Sequence, residues 1–189
     1  VWLLNEQSEV GVFEAGISEP GEMLALRDII QPTIAVLTFI GDAHQKNFAS
    51  LEEKCREKII LFHDAKTIVY CKDDALVDNV VKSFDYKGDN LSWSMKDPEA
   101  ALYVKQVDKN GLTSTVHYIF KGEEGEYELP FIDEASVRNP ATTAVVALHL
   151  GLSKELLAER MKNLEPVAMR LEVKEGQHGC TLINDSYNS

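Results

Sequence analysis

The chain has 189 residues, of which 44% are hydrophobic and 26% charged, with a net charge of -12 at neutral pH. This is the composition of an ordinary globular protein, with enough apolar material for a core in one large domain or two small ones. The acidic balance argues against a nucleic-acid partner, which would want a basic patch. It still permits a nucleotide whose phosphates are held by a metal ion and backbone N–H groups.

No apolar run reaches membrane-spanning length and no basic segment precedes an apolar one at the N-terminus, so no membrane partner is expected. Cys55, Cys71 and Cys180 are too widely spaced for a zinc motif or a disulfide framework and suggest a reducing, cytoplasmic setting. The chain opens on VWLLNEQSEV without an initiator methionine and stops at NDSYNS, just after an apolar run. We read it as a piece of a longer protein.

The first half alternates strand and helix signals. EVGVFEAG reads as a short buried strand and PGEMLALRDII as a helix, followed by a second buried strand in PTIAVLTFIG. Ser50 and Glu53 form a capping box that starts a helix at residue 51. KTIVYC is a third strand, and DDALVDNVVKSF a third helix with Asp73 or Asp74 near its N-terminus. Strands alternating with helices of this length predict a parallel sheet with covering helices.

The middle changes character. NLSWSM, AALYVKQVD, STVHYIF and EYELPF are short segments joined by turns such as DKNG and GEEG, which predicts an antiparallel meander added to the sheet. Two helices follow, EASVRNPATTAVVALHLG and SKELLAERMKNL, with Gly151 at a C′ position and Ser153 at an N-cap. RLEVKEGQHGCTLINDS predicts a hairpin around Gly176–Gly179. The fold class is therefore α/β, a mostly parallel sheet flanked by helices with an added meander, in one domain.

In open α/β sheets, ligands bind at the carboxyl edge of the strands. Three polar groups are expected there: Glu14 after the first strand, Asp42 and His44 after the second, and Asp185 after the last. Glu, His and Asp suit a divalent cation with phosphate, although each is also an ordinary cap or turn residue. His63, His117, His149 and His178 read as core, strand or turn histidines, and Arg170 as a surface residue on its own.

Lys58 poses a sharper question. On the Ser50-capped helix, Leu51, Cys55, Ile59 and Phe62 form an apolar stripe, and Lys58 falls about 20° from Leu51, at its centre. A buried ammonium must be paired, deprotonated or modified. One reading is a lysine whose stem is buried and whose amine reaches water. The other is a neutral amine that reacts with carbon dioxide, giving a carbamate able to bind magnesium.

Taken together, EAGISEPGEM, TFIGDAHQKNFASLEEKCREK, MRLEV and LINDSYNS resemble the central ATP-binding domain of the Mur ligases, which build the peptidoglycan precursor. The resemblance runs in order from about Val10 to Ser189. It implies a P-loop-NTPase-like fold in which Glu14 and His44 bind magnesium and Lys58, fourteen residues after His44, is carbamylated and serves the same metal. It further implies that Arg170 and Asp185 lie near the ATP phosphates and ribose, and that Asn139 contacts the base side. The family pattern H-N-x-x-N is only partly kept, with Ala135 and Ser136 at its first two places.

NDSYNS is close to the ending of the branch that adds D-alanyl-D-alanine to UDP-N-acetylmuramoyl-tripeptide, with Asn184 and Ser189 as departures. The family's phosphate-binding G-T-x-G-K-T loop has no counterpart, since no Gly-Lys-[Ser/Thr] occurs in the chain. We expect that loop and its strand, the N-terminal UDP-binding domain and the C-terminal domain to lie outside this stretch, which alone would be inactive. Two other readings are a folylpolyglutamate-synthase-like ligase of the same superfamily and a non-catalytic scaffold module; a magnesium-dependent hydrolase is a third, without a positioned nucleophile.

Overall fold

In a computed structural model, residues 4–41, 45–165 and 172–184 are described. Three short parallel strands run side by side: β1 (Ile34–Leu37), β2 (Thr67–Tyr70) and β3 (Asp89–Asn90), with Ile34 opposite Thr67 and Leu37 opposite Tyr70. The crossovers carry helices, as parallel pairing requires. α1 (Glu22–Ile30) precedes β1, α2 (Leu51–Lys58) links β1 to β2 and runs on into a 3-10 turn over Ile59–Phe62, and α3 (Ala75–Lys82) follows β2.

β2 is buried along its whole length and is the wall between two cores. Successive side chains of a strand point to opposite faces. Accordingly Ile68 and Tyr70 pack with Cys55, Ile59 and Phe62 of the α2 region and Val77 and Val80 of α3. Val69 and Cys71 face the other way, toward Trp93, Leu102, Val116 and Tyr127. A single bridge between Cys71 and Trp93 connects the parallel sheet to a second one.

That second sheet is β4 (Trp93–Ser94), β5 (Leu102–Asn110), β6 (Thr113–Phe120) and β7 (Glu123–Leu129). β5, β6 and β7 form the expected antiparallel meander, and α4 (Glu134–His149) and α5 (Lys154–Lys162) cover it. Gly151, with φ 91, ends α4, and the Ser153 hydroxyl accepts from the Leu156 N–H to start α5. β8 (Glu172–Glu175) and β9 (Thr181–Asn184) make the expected hairpin.

Four expectations need correction. EVGVFEAG is not a strand: residues 9–16 pair with nothing among the described residues, and Val12 is 94% exposed. An extended segment without a neighbour to complete its hydrogen bonds gains nothing from the alternation in its sequence. NLSWSM is not part of the meander, because β3 and β4 pair in parallel with β2 and β5. The turn before β7 is made by Lys121 and Gly122, both at positive φ, so Glu123, Glu124 and Gly125 of the GEEG stretch belong to the strand. Finally, β9 pairs among the described residues only with β8 and does not join the parallel sheet.

Candidate nucleotide and magnesium site

α2 is the element on which the candidate site is built. The Ser50 hydroxyl accepts from the Glu53 N–H at 3.0 Å, as the capping box predicts. The Glu53 carboxylate answers one residue further out, accepting from Ala49 N–H at 2.5 Å. Cys55, Ile59 and Phe62 are buried as expected, but Leu51 is 37% exposed. The stripe is rotated so that Lys54, only 3% exposed, takes the inner place and Lys58 sits half-buried beside it. Rotation follows from the helix giving way to a 3-10 turn at Ile59, which changes the angle between Phe62 and the residues before it.

Lys58 carries the perturbed chemistry. Burial lowers its pKa, the nearby Lys54 ammonium lowers it further, and the carboxylate of Glu14 opposes both. Glu14 and Lys58, forty-four residues apart in sequence, are thus near enough for the carboxylate to act on the ammonium.

Packing explains how Glu14 reaches this place without a strand. Ile17, Met23 and Phe48 are buried together, with Ala15 and with Ile60 and Leu61 of the 3-10 turn against them. The turn between Glu14 and α1 is then held by side chains. Glu22 accepts from the N–H groups of Ser18 and Glu19 at 2.6 and 2.9 Å, and the Asn47 amide donates to the Ser18 carbonyl at 2.9 Å. From α2, Glu57 accepts from the N–H groups of Gly21 and Met23 at 2.7 and 3.2 Å, a carboxylate at the start of α1. On the other side, the Lys54 ammonium donates to the Gly41 carbonyl at 2.5 Å.

Sequence reasoning missed Lys54 and Glu57. The signal was available in part: Lys54 and Lys58 are four residues apart, hence neighbours on one helix face.

Of the other candidates, His44, Arg170 and Asp185 lie outside the described residues. Asn139 is exposed on α4, and its carbonyl accepts from the Thr143 hydroxyl at 3.1 Å. Its neighbour Arg138 donates to Cys71 Sγ at 3.5 Å, which places this turn of α4 beside the carboxyl end of β2. The described contacts do not bring Asn139 to Lys58. His63 packs on Phe84 with ring centroids 4.5 Å apart, His117 lies between Asp108 and Glu126 on the meander, His149 ends α4 and His178 sits in the β8–β9 turn.

The donor set suits a hard divalent cation. Glu14 offers an exposed carboxylate, and a carbamate on Lys58 would offer a second, both oxygen ligands. Among the described residues, no three His, Cys, Asp or Glu side chains gather to hold a metal by themselves.

A family profile described as the Mur ligase middle domain matches residues 3–148. The chain belongs to the Mur ligase family. Among curated relatives, the UDP-N-acetylmuramoyl-tripeptide--D-alanyl-D-alanine ligase of Bacillus subtilis is 26% identical over 196 residues, covering all of this chain and 40% of the relative. The MurF structure of Acinetobacter baumannii superposes with a TM-score of 0.82 at 21% identity, over 98% of this chain and 41% of that one. MurF ligase of Thermotoga maritima, solved with ADP, gives 0.75 at 21% identity, over 91% of this chain and 39% of that one. The fold is thus that of Mur ligase central domains, and this Mur ligase domain spans about two fifths of the length of the relatives it matches. No helix among the described residues is long and apolar enough to cross a membrane.

Proposed function

We propose that this chain is the central ATP-binding part of a ligase that joins D-alanyl-D-alanine to UDP-N-acetylmuramoyl-tripeptide. The observation that carries the proposal is Lys58: half-buried, its ammonium disfavoured by burial and by Lys54, and within electrostatic reach of Glu14. A lysine of lowered pKa has more of its amine neutral and nucleophilic. That amine, formed when the ammonium gives up a proton, adds to the carbon of carbon dioxide, forming a C–N bond and releasing a second proton, so that a cation becomes an anion. The change removes the repulsion with Lys54 and supplies oxygen ligands beside Glu14.

In this reading Glu14, His44 and carbamylated Lys58 hold Mg2+, which when bound neutralises charge spreading over the transferred phosphoryl group of ATP. Arg170 and Asp185 orient the phosphates and ribose, and Asn139 meets the base side. The tripeptide carboxylate attacks the γ-phosphorus and ADP leaves. The amine of D-alanyl-D-alanine then attacks the acyl carbon of the resulting acyl phosphate, losing a proton as inorganic phosphate departs. Positioning and electrostatics suffice, so the reaction needs no protein nucleophile.

The phosphate-binding loop, the UDP-binding domain and the domain presenting the amine belong, on this proposal, to the remainder of the ligase. The 189-residue stretch alone is then inactive. The test is phosphate release from ATP by the ligase over its full length, with each substrate alone and both together. Release that requires both, with the ligated product seen by mass spectrometry, supports the proposal. Ligation of glutamate to a folate instead favours the folylpolyglutamate-synthase-like reading, and folded protein without release favours a scaffold.

A further inference from the structure

α2 does more than carry Lys58. Within one turn of it, two charged side chains reach out of the helix in different directions, each to backbone. Lys54, 3% exposed, donates to the carbonyl of Gly41, three residues before His44. Glu57 accepts from Gly21 and Met23, at the end of the turn that begins with Glu14. Asn47, just before α2, donates to Ser18 of the same turn. The turn after Glu14 and the segment after β1 are thereby tied to the helix that carries Lys58.

From this geometry we propose that Lys54 and Glu57 are positioning residues, a two-sided clamp that fixes the Glu14 turn and the segment after β1 relative to Lys58. The inference rests on the ligase reading above. Each anchor is a charge-assisted hydrogen bond to backbone, the stronger kind. Burial makes the Lys54 bond costly to lose, since a charge held away from water relies on its hydrogen bonds. A metal bound by oxygens tolerates poor placement badly, so the residues that set its ligands in place matter nearly as much as the ligands.

The test uses the full-length ligase with Lys54→Met, Glu57→Ala and the conservative variants Lys54→Arg and Glu57→Gln, which keep a donor and an acceptor. Lys58→Ala serves as the reference. We expect Lys54→Met and Glu57→Ala to raise the magnesium concentration for half-maximal rate by about tenfold or more, with little change in KM for D-alanyl-D-alanine. The conservative variants should stay close to the parent. Amide hydrogen exchange, read without substrates, should quicken at Gly21 and Met23 in Glu57→Ala and remain slow in Glu57→Gln. If Lys54→Met does not fold, the Glu57 pair decides by the same criteria. Unchanged magnesium dependence in Glu57→Ala, or an equal loss in Glu57→Gln, overturns the clamp. Full activity in Lys58→Ala would sink the metal role of Lys58, and no ligation by the parent protein would sink the ligase reading itself, whatever the clamp variants do.

Discussion

The indole N–H of Trp93 donates to the hydroxyl of Thr142 at 2.9 Å, with both residues buried. This bond joins β4, the parallel edge strand of the second sheet, to the helix that carries Asn139, one turn from the Arg138–Cys71 contact. Replacing Thr142 by valine keeps the volume and leaves the indole N–H unmet in the core. Thr142→Val is expected to cost about 1–3 kcal/mol in urea unfolding. A change near zero would mean that the indole finds another acceptor.

The start of α3 supplies a second prediction. Asp74 accepts from the N–H groups of both Leu76 and Val77, at 3.1 and 3.3 Å, and so meets two of the donors that a helix leaves open at its N-terminus. Asp74→Ala should lose about 1 kcal/mol of stability, and Asp74→Ser much less. Asp73, its equal candidate in the sequence, instead accepts from the Ser94 hydroxyl and the Met95 N–H, binding the two sheets' loops together. Asp73→Ala is therefore expected to loosen the loop around residues 94–97 without fraying α3, which amide exchange of α3 distinguishes.

A third prediction concerns pH. Lys72 and Asp97 form an ion pair that holds the Asp97 carboxyl below its usual 3.8, first through the hydrogen bond from Lys72, and raises the Lys72 ammonium above 10.5. A depressed carboxylate contributes stability that is complete above its unfolded value and is lost as pH falls through the folded one. The raised lysine works at the other end: its contribution is complete below 10.5 and is lost as pH rises through its folded value. Asp97→Asn should therefore flatten the acid limb of the stability profile below 3.8, with a smaller difference from the parent at high salt. Equal acid limbs in both proteins would contradict the pairing.

Much of this architecture was legible in the residues. Caps and turn formers act locally, so Ser50, Asp74, Ser153 and Gly151 fixed helix ends that the structure reproduces. The alternating apolar pattern of the meander served equally well, because both of its neighbours lie close in sequence. What failed depended on distant partners. Val10 and Val12 have the alternation of a strand but no neighbour among the described residues, and Trp93 pairs in parallel because β2 hands the sheet over at Cys71.

Lys58 was conspicuous in the sequence as a charge on an apolar face, although the folded stripe puts Lys54 at its centre. Lys54 was not, because its burial depends on how the stripe rotates and on a carbonyl thirteen residues away. Glu57 looks like any surface carboxylate in the sequence, and only the path of the chain brings α1 to it.

The central claim is that Lys58 carries a carbamate, and the most direct measurement is carbon-13 NMR of the full-length ligase equilibrated with labelled bicarbonate. The account predicts one carbamate resonance, absent from Lys58→Ala and lost when bicarbonate is removed together with the ATP-dependent activity. An active enzyme showing no such resonance at saturating bicarbonate, or the same resonance in Lys58→Ala, would contradict it.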